Sequence, residues 1–126
     1  MNIARLIVSA LLISAATLAH ALEVKPFSAA ALAEAEKANQ PVALQFHADW
    51  CPTCRTQDKV IQGLMTEKGL ALTILKVNYD TERDLKRRFR VNTQSTLIVL
   101  RGQKETARSV NDTTADGIRG SLKTAL

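Results

Sequence analysis

The sequence predicts an α/β fold in which helices flank a small mixed sheet within a single domain. Short apolar runs typical of buried strands alternate with helical segments along most of the chain. The last two predicted strands follow one another without a helix between them, which favours a mixed sheet over a purely parallel one. Residues 22–126 number 105, enough chain to bury one hydrophobic core.

Four helices are predicted from composition and from the spacing of apolar residues. They cover residues 27–40, 54–65, 81–90 and 113–126. Ser28 is a suitable N-cap for the alanine-rich first helix, and Leu85 and Phe89 share one face of the short, charged third helix. Gly117 and Gly120 are expected to weaken the fourth helix.

Four strands complete the predicted order α-β-α-β-α-β-β-α. They cover residues 41–48, 70–80, 95–100 and 105–110. The first three are apolar runs bounded by polar residues, as expected for buried strands, and the fourth is shorter and more polar. Gly102 marks the turn between the last two strands.

The N-terminus predicts a cleaved secretory signal peptide over residues 1–21. Arg5 supplies a positive charge, residues 6–18 form an apolar run, and Ala19 and Ala21 are the small residues that a signal peptidase selects. A transmembrane anchor is the alternative, but it needs about 20 apolar residues. We therefore expect a mature domain of residues 22–126, in the periplasm or secreted, with no membrane span after cleavage.

The charge balance of the chain is mildly basic, with 17 Lys and Arg against 12 Asp and Glu. Aromatic residues that could stack on bases are scarce, so nucleic-acid binding is not expected. The basic residues of the third helix are expected to form a solvated face, with a docking patch for an acidic partner as the alternative: Arg83, Lys86, Arg87, Arg88 and Arg90.

Both cysteines lie in residues 47–58, HADWCPTCRTQD, directly after the only tryptophan. Cys51 stands where a buried strand ends and a helix begins, and Pro52 suits the first turn of that helix. Because first-turn amides favour negative charge, we expect a lowered pKa for Cys51, which makes it the attacking thiol. Cys54, about one helical turn further on, is expected to be more buried and to resolve the mixed disulfide.

Three other roles for the cysteine pair remain open. A structural disulfide is one, although so small a loop restrains the unfolded chain only weakly. A zinc half-site is the second, but it needs two more ligands, and His47 is the only histidine after residue 21. The third is a binding module without redox activity.

The chain resembles the thioredoxin family over residues 24–126. The segments that carry the resemblance are FHADWCPTCR at residues 46–55, ILKVNYD at residues 74–80 and VNTQSTLIVLRGQKE at residues 91–105. The resemblance implies a thioredoxin-like fold and a redox-active disulfide between Cys51 and Cys54, with no organic cofactor and no metal. Together with the signal peptide, it points to the exported, periplasmic-type members.

Ser95 departs from the family pattern, which has a cis-proline before Thr96, packed against the active-site disulfide. A cis bond before a residue other than proline costs about 2.5–4 kcal/mol, so the Gln94–Ser95 bond is expected to be trans. The Ser95 hydroxyl could hydrogen-bond a sulfur, and without the ring the thiols would be less shielded from metals. Simple drift in a tolerant loop is the alternative.

Gln45 is a second departure, because the family often has a buried aspartate there as proton acceptor for the second cysteine. Glutamine cannot act as a general base at ordinary pH. Lys76 would then lack its carboxylate, and we expect it either to reach solvent or to titrate low.

The remaining site candidates surround the cysteines. Pro52 and Thr53 between the sulfurs suggest a redox potential between those of reductants and oxidants in the family. Trp50 is expected to shield one side of the site and contact partners, with simple packing as the alternative. A charged His47 would stabilise a thiolate, with a strand-end histidine without a role as the alternative. Thr96 is a further candidate for the substrate groove. Asp49 is expected to be an exposed rim carboxylate.

The sequence thus predicts a monomeric thiol–disulfide oxidoreductase of the cell envelope, in which Trp50 and Ser95 border the substrate groove. Its expected partners are protein thiol or disulfide substrates and an upstream redox relay protein. The alternative is a metallochaperone or metal-cluster-binding protein that uses the two thiols as ligands. An inert partner-binding module is a third possibility.

Overall fold

A computed structural model describes residues 21–126 as five strands and four helices. In chain order they are β1 (Glu23–Pro26), α1 (Ala29–Lys37), β2 (Pro41–His47), α2 (Pro52–Leu64), β3 (Thr73–Asn78), α3 (Arg83–Phe89), β4 (Thr96–Arg101), β5 (Lys104–Val110) and α4 (Ala115–Lys123). The predicted signal peptide lies outside the described residues except for Ala21. No helix among residues 21–126 combines the length and the apolar character that crossing a bilayer requires.

The strands form one mixed sheet in the order β1-β3-β2-β4-β5. β1, β3 and β2 run parallel, whereas β4 is antiparallel to β2 and pairs with β5 in a hairpin. Gly102 adopts a left-handed φ of 59° in the hairpin turn, which confirms its predicted place there. The predicted α/β fold with a small mixed sheet is therefore confirmed.

Helices cover both faces of the sheet, and each face has its own apolar core. On one face, strand residues such as Ala43 and Leu97 pack with Ile61 of α2 and Ile118 of α4. On the other face, the alternate strand residues pack against α1 and α3, where Leu32 contributes from α1. Because successive side chains of a strand point to opposite faces, each central strand serves both cores.

One element was not predicted, the edge strand β1. It has only four residues, and Lys25 and Pro26 interrupt any apolar alternation. Its partner β3 lies 50 positions further on, with Glu23 opposite Thr73. So short a segment carries no pattern of its own, and pairing with a distant strand is what makes it a strand.

Local capping signals place the helices where the sequence predicted them. The Ser28 side chain accepts a hydrogen bond from the Ala31 N–H at 3.0 Å, which confirms it as the N-cap of α1. At α4 the Thr114 hydroxyl caps the Gly117 N–H at 3.1 Å. The N-cap of α2 is Cys51 itself, with Pro52 in the first turn. The chain therefore enters α2 through the first cysteine.

Candidate active site

Cys51 lies at the junction between the end of β2 and the start of α2. Its backbone is extended, with φ −88° and ψ 114°, and its sulfur accepts a hydrogen bond from the Cys54 N–H at 3.2 Å. Both cysteines are free thiols. Cys51 is 7% exposed and Cys54 is fully buried, which confirms the expected difference in access.

The loop before β4 brings Ser95 against both sulfurs. Its Oγ lies 3.0 Å from Cys54 Sγ and 3.6 Å from Cys51 Sγ, and the residue is fully buried. No peptide bond among residues 21–126 is cis, which confirms the expected trans Gln94–Ser95 bond. Ser95 has a left-handed φ of 58°, a value that a proline ring cannot adopt. The loop therefore has a conformation of its own, into which the family's proline would not fit.

The two thiols have opposite pKa shifts. Burial disfavours the Cys51 thiolate, but hydrogen bonds from the Cys54 and Ser95 side chains and from the Cys54 and Thr53 backbone outweigh it and lower the Cys51 pKa. Burial raises the pKa of Cys54, and its hydrogen bond with Cys51 adds to that effect. The Ser95 hydroxyl and the Ala48 backbone offset only part of this rise. Cys51 is thus the better nucleophile of the pair.

A polar cluster lies between β2 and β3 on one side and α2 on the other, and it gives Lys76 the carboxylate that it was expected to lack. Lys76 Nζ lies 3.2 Å from Asp58 Oδ2, so the expected lack of a carboxylate is wrong, whereas the 37% exposure of the side chain agrees with the expected reach to solvent. Gln45 Nε2 donates to Asp58 Oδ1 at 2.8 Å and to Gln57 Oε1 at 3.2 Å. A carboxylate from α2 thus stands opposite the strand position where the family has its aspartate. The pairing could not be foreseen from the strand residues alone.

His47 belongs to this same cluster. Its Nε2 lies 2.9 Å from Asp58 Oδ2 without the alignment of a hydrogen bond, and its Nδ1 lies 3.6 Å from Asp49 Oδ1. His47 is nearly buried, whereas the Asp49 side chain is fully exposed, as predicted for a rim residue. Carboxylates are the neighbours found for both ring nitrogens of His47.

Trp50 borders a groove next to the cysteines. The indole is 59% exposed, and its Nε1 donates to Asp80 Oδ2 at 2.8 Å, so it does not serve the core as a packing residue. We call the adjoining cleft of about 540 Å³ the Trp50 groove; Val24, Pro26, His47, Trp50, Lys76 and Asp80 are among the residues that line it. An exposed aromatic surface beside the thiols is suited to contact a partner.

A second depression of about 390 Å³ is formed partly by the residues that follow Cys51. Pro52, Thr53, Thr56, Asn111 and Thr113 line it. Trp50 lines the first cleft and Pro52 lines the second, so the two neighbours of Cys51 in the chain each border one depression. Thr96 belongs to neither lining: it is buried, and its hydroxyl donates to the Thr93 carbonyl at 2.8 Å, which closes the turn before β4.

Three basic residues of α3 have partners outside the polar cluster. Arg87 pairs with Asp84, Arg88 pairs with Glu36, and the Lys86 ammonium lies 3.9 Å from the centre of the Tyr79 ring. Tyr79 in turn packs against the small cluster that Ala48, Cys51 and Cys54 form. Most of these basic side chains are exposed, as predicted for a solvated helix face.

Three residues of the site were missed from sequence: Gln57, Asp58 and Tyr79. Gln57 and Asp58 follow Cys54 at the i+3 and i+4 positions, so the helical period places them on the same side of α2. That spacing was a usable signal. For Tyr79, packing against the cluster of Ala48 and the two cysteines depends on how β3 lies beside β2, and no local pattern predicts it. Within residues 21–126 no three His, Cys, Asp or Glu side chains converge into a metal-binding group.

Fold and site together define a thioredoxin-fold protein with a Cys-X-X-Cys pair at the start of a helix. The chain belongs to the thioredoxin family, whose model, described as Thioredoxin, matches residues 22–124.

Several known proteins are similar to the chain. It is 33% identical over 72 residues to a thioredoxin of Mycobacterium tuberculosis, a match that covers 57% of this chain and 62% of that protein. It is 30% identical over 93 residues to a peptide-N(4)-(N-acetyl-beta-glucosaminyl)asparagine amidase of Caenorhabditis elegans, covering 74% of this chain but 14% of the amidase. The chain thus spans less than two thirds of these curated relatives.

Solved structures agree with the fold. Trxlp from Edwardsiella tarda is 35% identical, with a TM-score of 0.72 and coverage of 80% of this chain and 97% of that one. Thioredoxin NaTrxh from Nicotiana alata is 21% identical, with a TM-score of 0.69 and coverage of 84% and 93%. At 21% identity, the likeness to NaTrxh concerns the fold alone.

Proposed function

We propose that this protein is a thiol–disulfide oxidoreductase that exchanges disulfides with partner proteins through Cys51 and Cys54. The asymmetry of the pair is the observation that supports it most strongly. The more exposed cysteine has the lowered pKa, and the fully buried cysteine has the raised one. An attacking thiol must be anionic and reachable, whereas a resolving thiol must stay protected until a mixed disulfide has formed.

The reaction has two exchange steps. The Cys51 thiolate attacks a sulfur of the partner's disulfide, forms a bond to it and expels the other partner sulfur as thiolate. The Cys54 thiol then loses its proton to water and attacks Cys51 Sγ, which releases the partner's second sulfur as thiolate and closes the Cys51–Cys54 disulfide. The two enzyme cysteines carry the electron pair, so this scheme needs no organic cofactor. The reverse sequence oxidises a partner.

The two depressions beside Cys51 suggest how a partner lies on the site. In this proposal, an extended segment runs from the Trp50 groove to the depression beside Thr53 and passes Cys51, the residue between Trp50 and Pro52. The exposed indole offers it an apolar contact, and the Asp80 carboxylate holds the indole in place. Substrates in this proposal are therefore protein disulfides in accessible segments.

Reduction of insulin by dithiothreitol tests the proposed activity. The wild type should accelerate precipitation of the insulin B chain, and Cys51→Ser should show no acceleration. Cys54→Ser should attack once and remain joined to its partner, since nothing resolves the mixed disulfide. Mass spectrometry without reductant detects that adduct.

Two results would contradict the proposal. One is a wild type no faster than dithiothreitol alone, and the other is normal turnover by Cys54→Ser without added thiol. Metal analysis of the same reduced sample provides a separate check, because stoichiometric metal bound through the thiols would favour a metal-handling role instead.

Export to the periplasm or to the medium is a further part of the proposal. It is supported by the N-terminal pattern of residues 1–21 and by the advantage of an oxidising compartment for a protein that cycles through a disulfide. A redox relay protein in that compartment would then recharge the cysteines. N-terminal sequencing of the protein from an envelope fraction should begin at Leu22, and a sequence that begins at Met1 in the soluble cell interior would refute export.

A further inference from the structure

Ser95 Oγ is the one side-chain oxygen found within hydrogen-bonding distance of both reactive sulfurs among the described residues. It lies 3.0 Å from Cys54 Sγ and 3.6 Å from Cys51 Sγ. A hydroxyl carries one proton and two lone pairs, so it can accept a hydrogen bond from a thiol while it donates one to a thiolate. This position allows one group to serve both cysteines in turn.

The backbone holds that hydroxyl in place. The Ser95 N–H donates to the Phe46 carbonyl at 2.9 Å, and the Ser95 carbonyl accepts from the Asn111 N–H at 3.0 Å and from Gln57 Nε2 at 3.4 Å. Gln57 also donates to the Asp112 carbonyl at 3.0 Å, so β2, α2 and the loop before α4 all fix this residue. The residue is fully buried, and rotation about the C–O bond is enough to turn its O–H from one sulfur to the other.

We infer that Ser95 is a catalytic residue whose hydroxyl donates a hydrogen bond to the sulfur that carries the negative charge. That sulfur is Cys51 Sγ in the first exchange step and Cys54 Sγ in the second. The inference rests on the proposed exchange activity and goes beyond it by assigning a donor that follows the charge. In the reduced protein, the Ser95 O–H points to the Cys51 thiolate, which the Cys54 thiol also stabilises with its own hydrogen bond.

During resolution the same hydroxyl turns to the other sulfur. Once Cys51 is bonded to the partner, it carries no charge and no longer needs the donor. Cys54 loses its proton to water, and the resulting thiolate receives the Ser95 O–H hydrogen bond until its electron pair forms the bond to Cys51 Sγ. The bond between Cys51 and the partner breaks, and the partner leaves as thiolate. Ser95 itself gains and loses no proton overall.

Cys54 depends on this donor more than Cys51 does. Cys51 Sγ already accepts the Cys54 N–H at 3.2 Å, at the start of α2. For the fully buried Cys54, the Ser95 hydroxyl and the Ala48 backbone are the groups that favour its anion. Removing the hydroxyl should therefore affect both steps, with the greater loss in the second.

The symmetrical aromatic disulfide dithiobis(nitrobenzoate) separates the two steps, because each step releases one coloured nitrothiobenzoate anion. The variants are Ser95→Ala and Ser95→Gly, which both remove the hydroxyl and keep the N–H that bonds Phe46. They differ in backbone strain, since only glycine adopts a φ near 58° freely. The control is Ser109→Ala, which deletes a hydroxyl on β5 that has no hydrogen-bond partner.

We expect both Ser95 variants to move the pH midpoint of the first release upward by about one pH unit. The second release should slow about tenfold or more at pH 7, because a hydrogen bond to a charged group is lost in a buried site. Ser109→Ala should match the wild type in both phases. Far-ultraviolet circular dichroism confirms that each variant is folded.

The inference is overturned by either of two results. If Ser95→Gly behaves like the wild type, the hydroxyl is not used, and backbone strain then explains any slow exchange by Ser95→Ala. If the first release changes and the second does not, the hydroxyl serves Cys51 alone. A wild type that releases no coloured thiolate refutes the exchange activity as well. The two failures are therefore distinguishable, because failure of the Ser95 role alone leaves the wild type active.

Discussion

Asp58 supplies the negative charge that balances the Lys76 ammonium in the polar cluster. Its two oxygens face the Gln45 amide, the Lys76 ammonium and the His47 ring. The side chain is 22% exposed, so water screens the charge only in part. A carboxylate on α2 thus allows a glutamine to occupy the strand without leaving a lysine unpaired.

Asp58→Asn should lower the free energy of unfolding by about 1–3 kcal/mol, because Lys76 keeps its charge and loses its partner. Asp49→Asn is the matched control: it is the same change near the same histidine, at a fully exposed side chain. That control should stay within about 0.5 kcal/mol of the wild type. Urea titrations at pH 7 measure both, and equal effects of the two changes would contradict a special role for Asp58.

At the scale of elements, the two glycines of α4 have opposite surroundings although they lie three residues apart. A Cβ added at Gly120 would meet nothing within 4 Å. At Gly117 it would lie 2.0 Å from Asp112 Oδ2 and 2.7 Å from Thr114 Oγ1. Asp112 and Thr114 are hydrogen-bonded to each other, so neither can move aside without loosening the start of the helix.

Gly120→Ala should therefore raise the free energy of unfolding by about 0.5–1 kcal/mol, as expected for alanine in a helix interior. Gly117→Ala should lower it by about 1 kcal/mol, because the capping bonds are disturbed. Thermal or urea unfolding of the two variants gives the comparison. If both changes stabilise the protein, Asp112 and Thr114 can move aside at little cost, and the prediction for Gly117→Ala is wrong.

A bidentate ion pair joins α4 to the turn after α2. Arg119 Nε donates to Glu67 Oε2 at 2.7 Å, and Arg119 Nη2 donates to Glu67 Oε1 at 2.5 Å. Hydrogen bonds from Arg119 are the main cause of the lowered pKa of Glu67; partial burial opposes the shift, and the charges of Arg119 and Lys123 add to it. The pair therefore links acid stability to the packing of α4.

The sign of the pH dependence follows from the lowered pKa. The stabilisation is complete above the pKa of an unfolded glutamate, about 4.3, and it is lost as the pH falls through the lower value of the folded protein. Glu67→Gln should thus be less stable than the wild type at pH 6, and the difference should shrink toward pH 3. Urea titrations across this range measure it, and a difference that is constant with pH would argue against the ion pair.

At the scale of the whole molecule, the described residues 21–126 form two large apolar cores that share one sheet. Leu32 belongs to the core under α1 and α3, and Ile118 belongs to the core under α2 and α4. Because β2, β3 and β4 contribute side chains to both, loss of either core removes support from the same strands. The molecule should therefore unfold as one cooperative unit.

Leu32→Ala should cost about 2–5 kcal/mol and Ile118→Val about 0.5–1.5 kcal/mol. The sheet separates the two sites, so the double variant should equal the sum within about 0.5 kcal/mol. Each variant should keep a single unfolding transition by fluorescence and by circular dichroism. Two separate transitions, or strong coupling between the substitutions, would contradict this description.

Local patterns in the sequence were sufficient for most of the architecture. The apolar runs of β2 and β4, the cap at Ser28 and the turn at Gly102 each depend on residues within a few positions of one another. The placement of Cys51 at the start of α2 was predictable for the same reason, since a strand end and a helix start are both local signals. The trans bond before Ser95 followed from peptide energetics alone.

What only the tertiary structure decided involves residues far apart in the chain. β1 is a strand because β3 lies beside it, and Lys76 has a carboxylate because α2 crosses the sheet with Asp58 facing it. Ser95 reaches sulfurs 41 and 44 positions away because the pairing of β4 with β2 fixes where its loop ends. The sequence by itself determined which chemical groups each element presents. Which of these groups come into contact depended on sheet register and helix packing. Both are set by the summed burial of many side chains rather than by any local pattern.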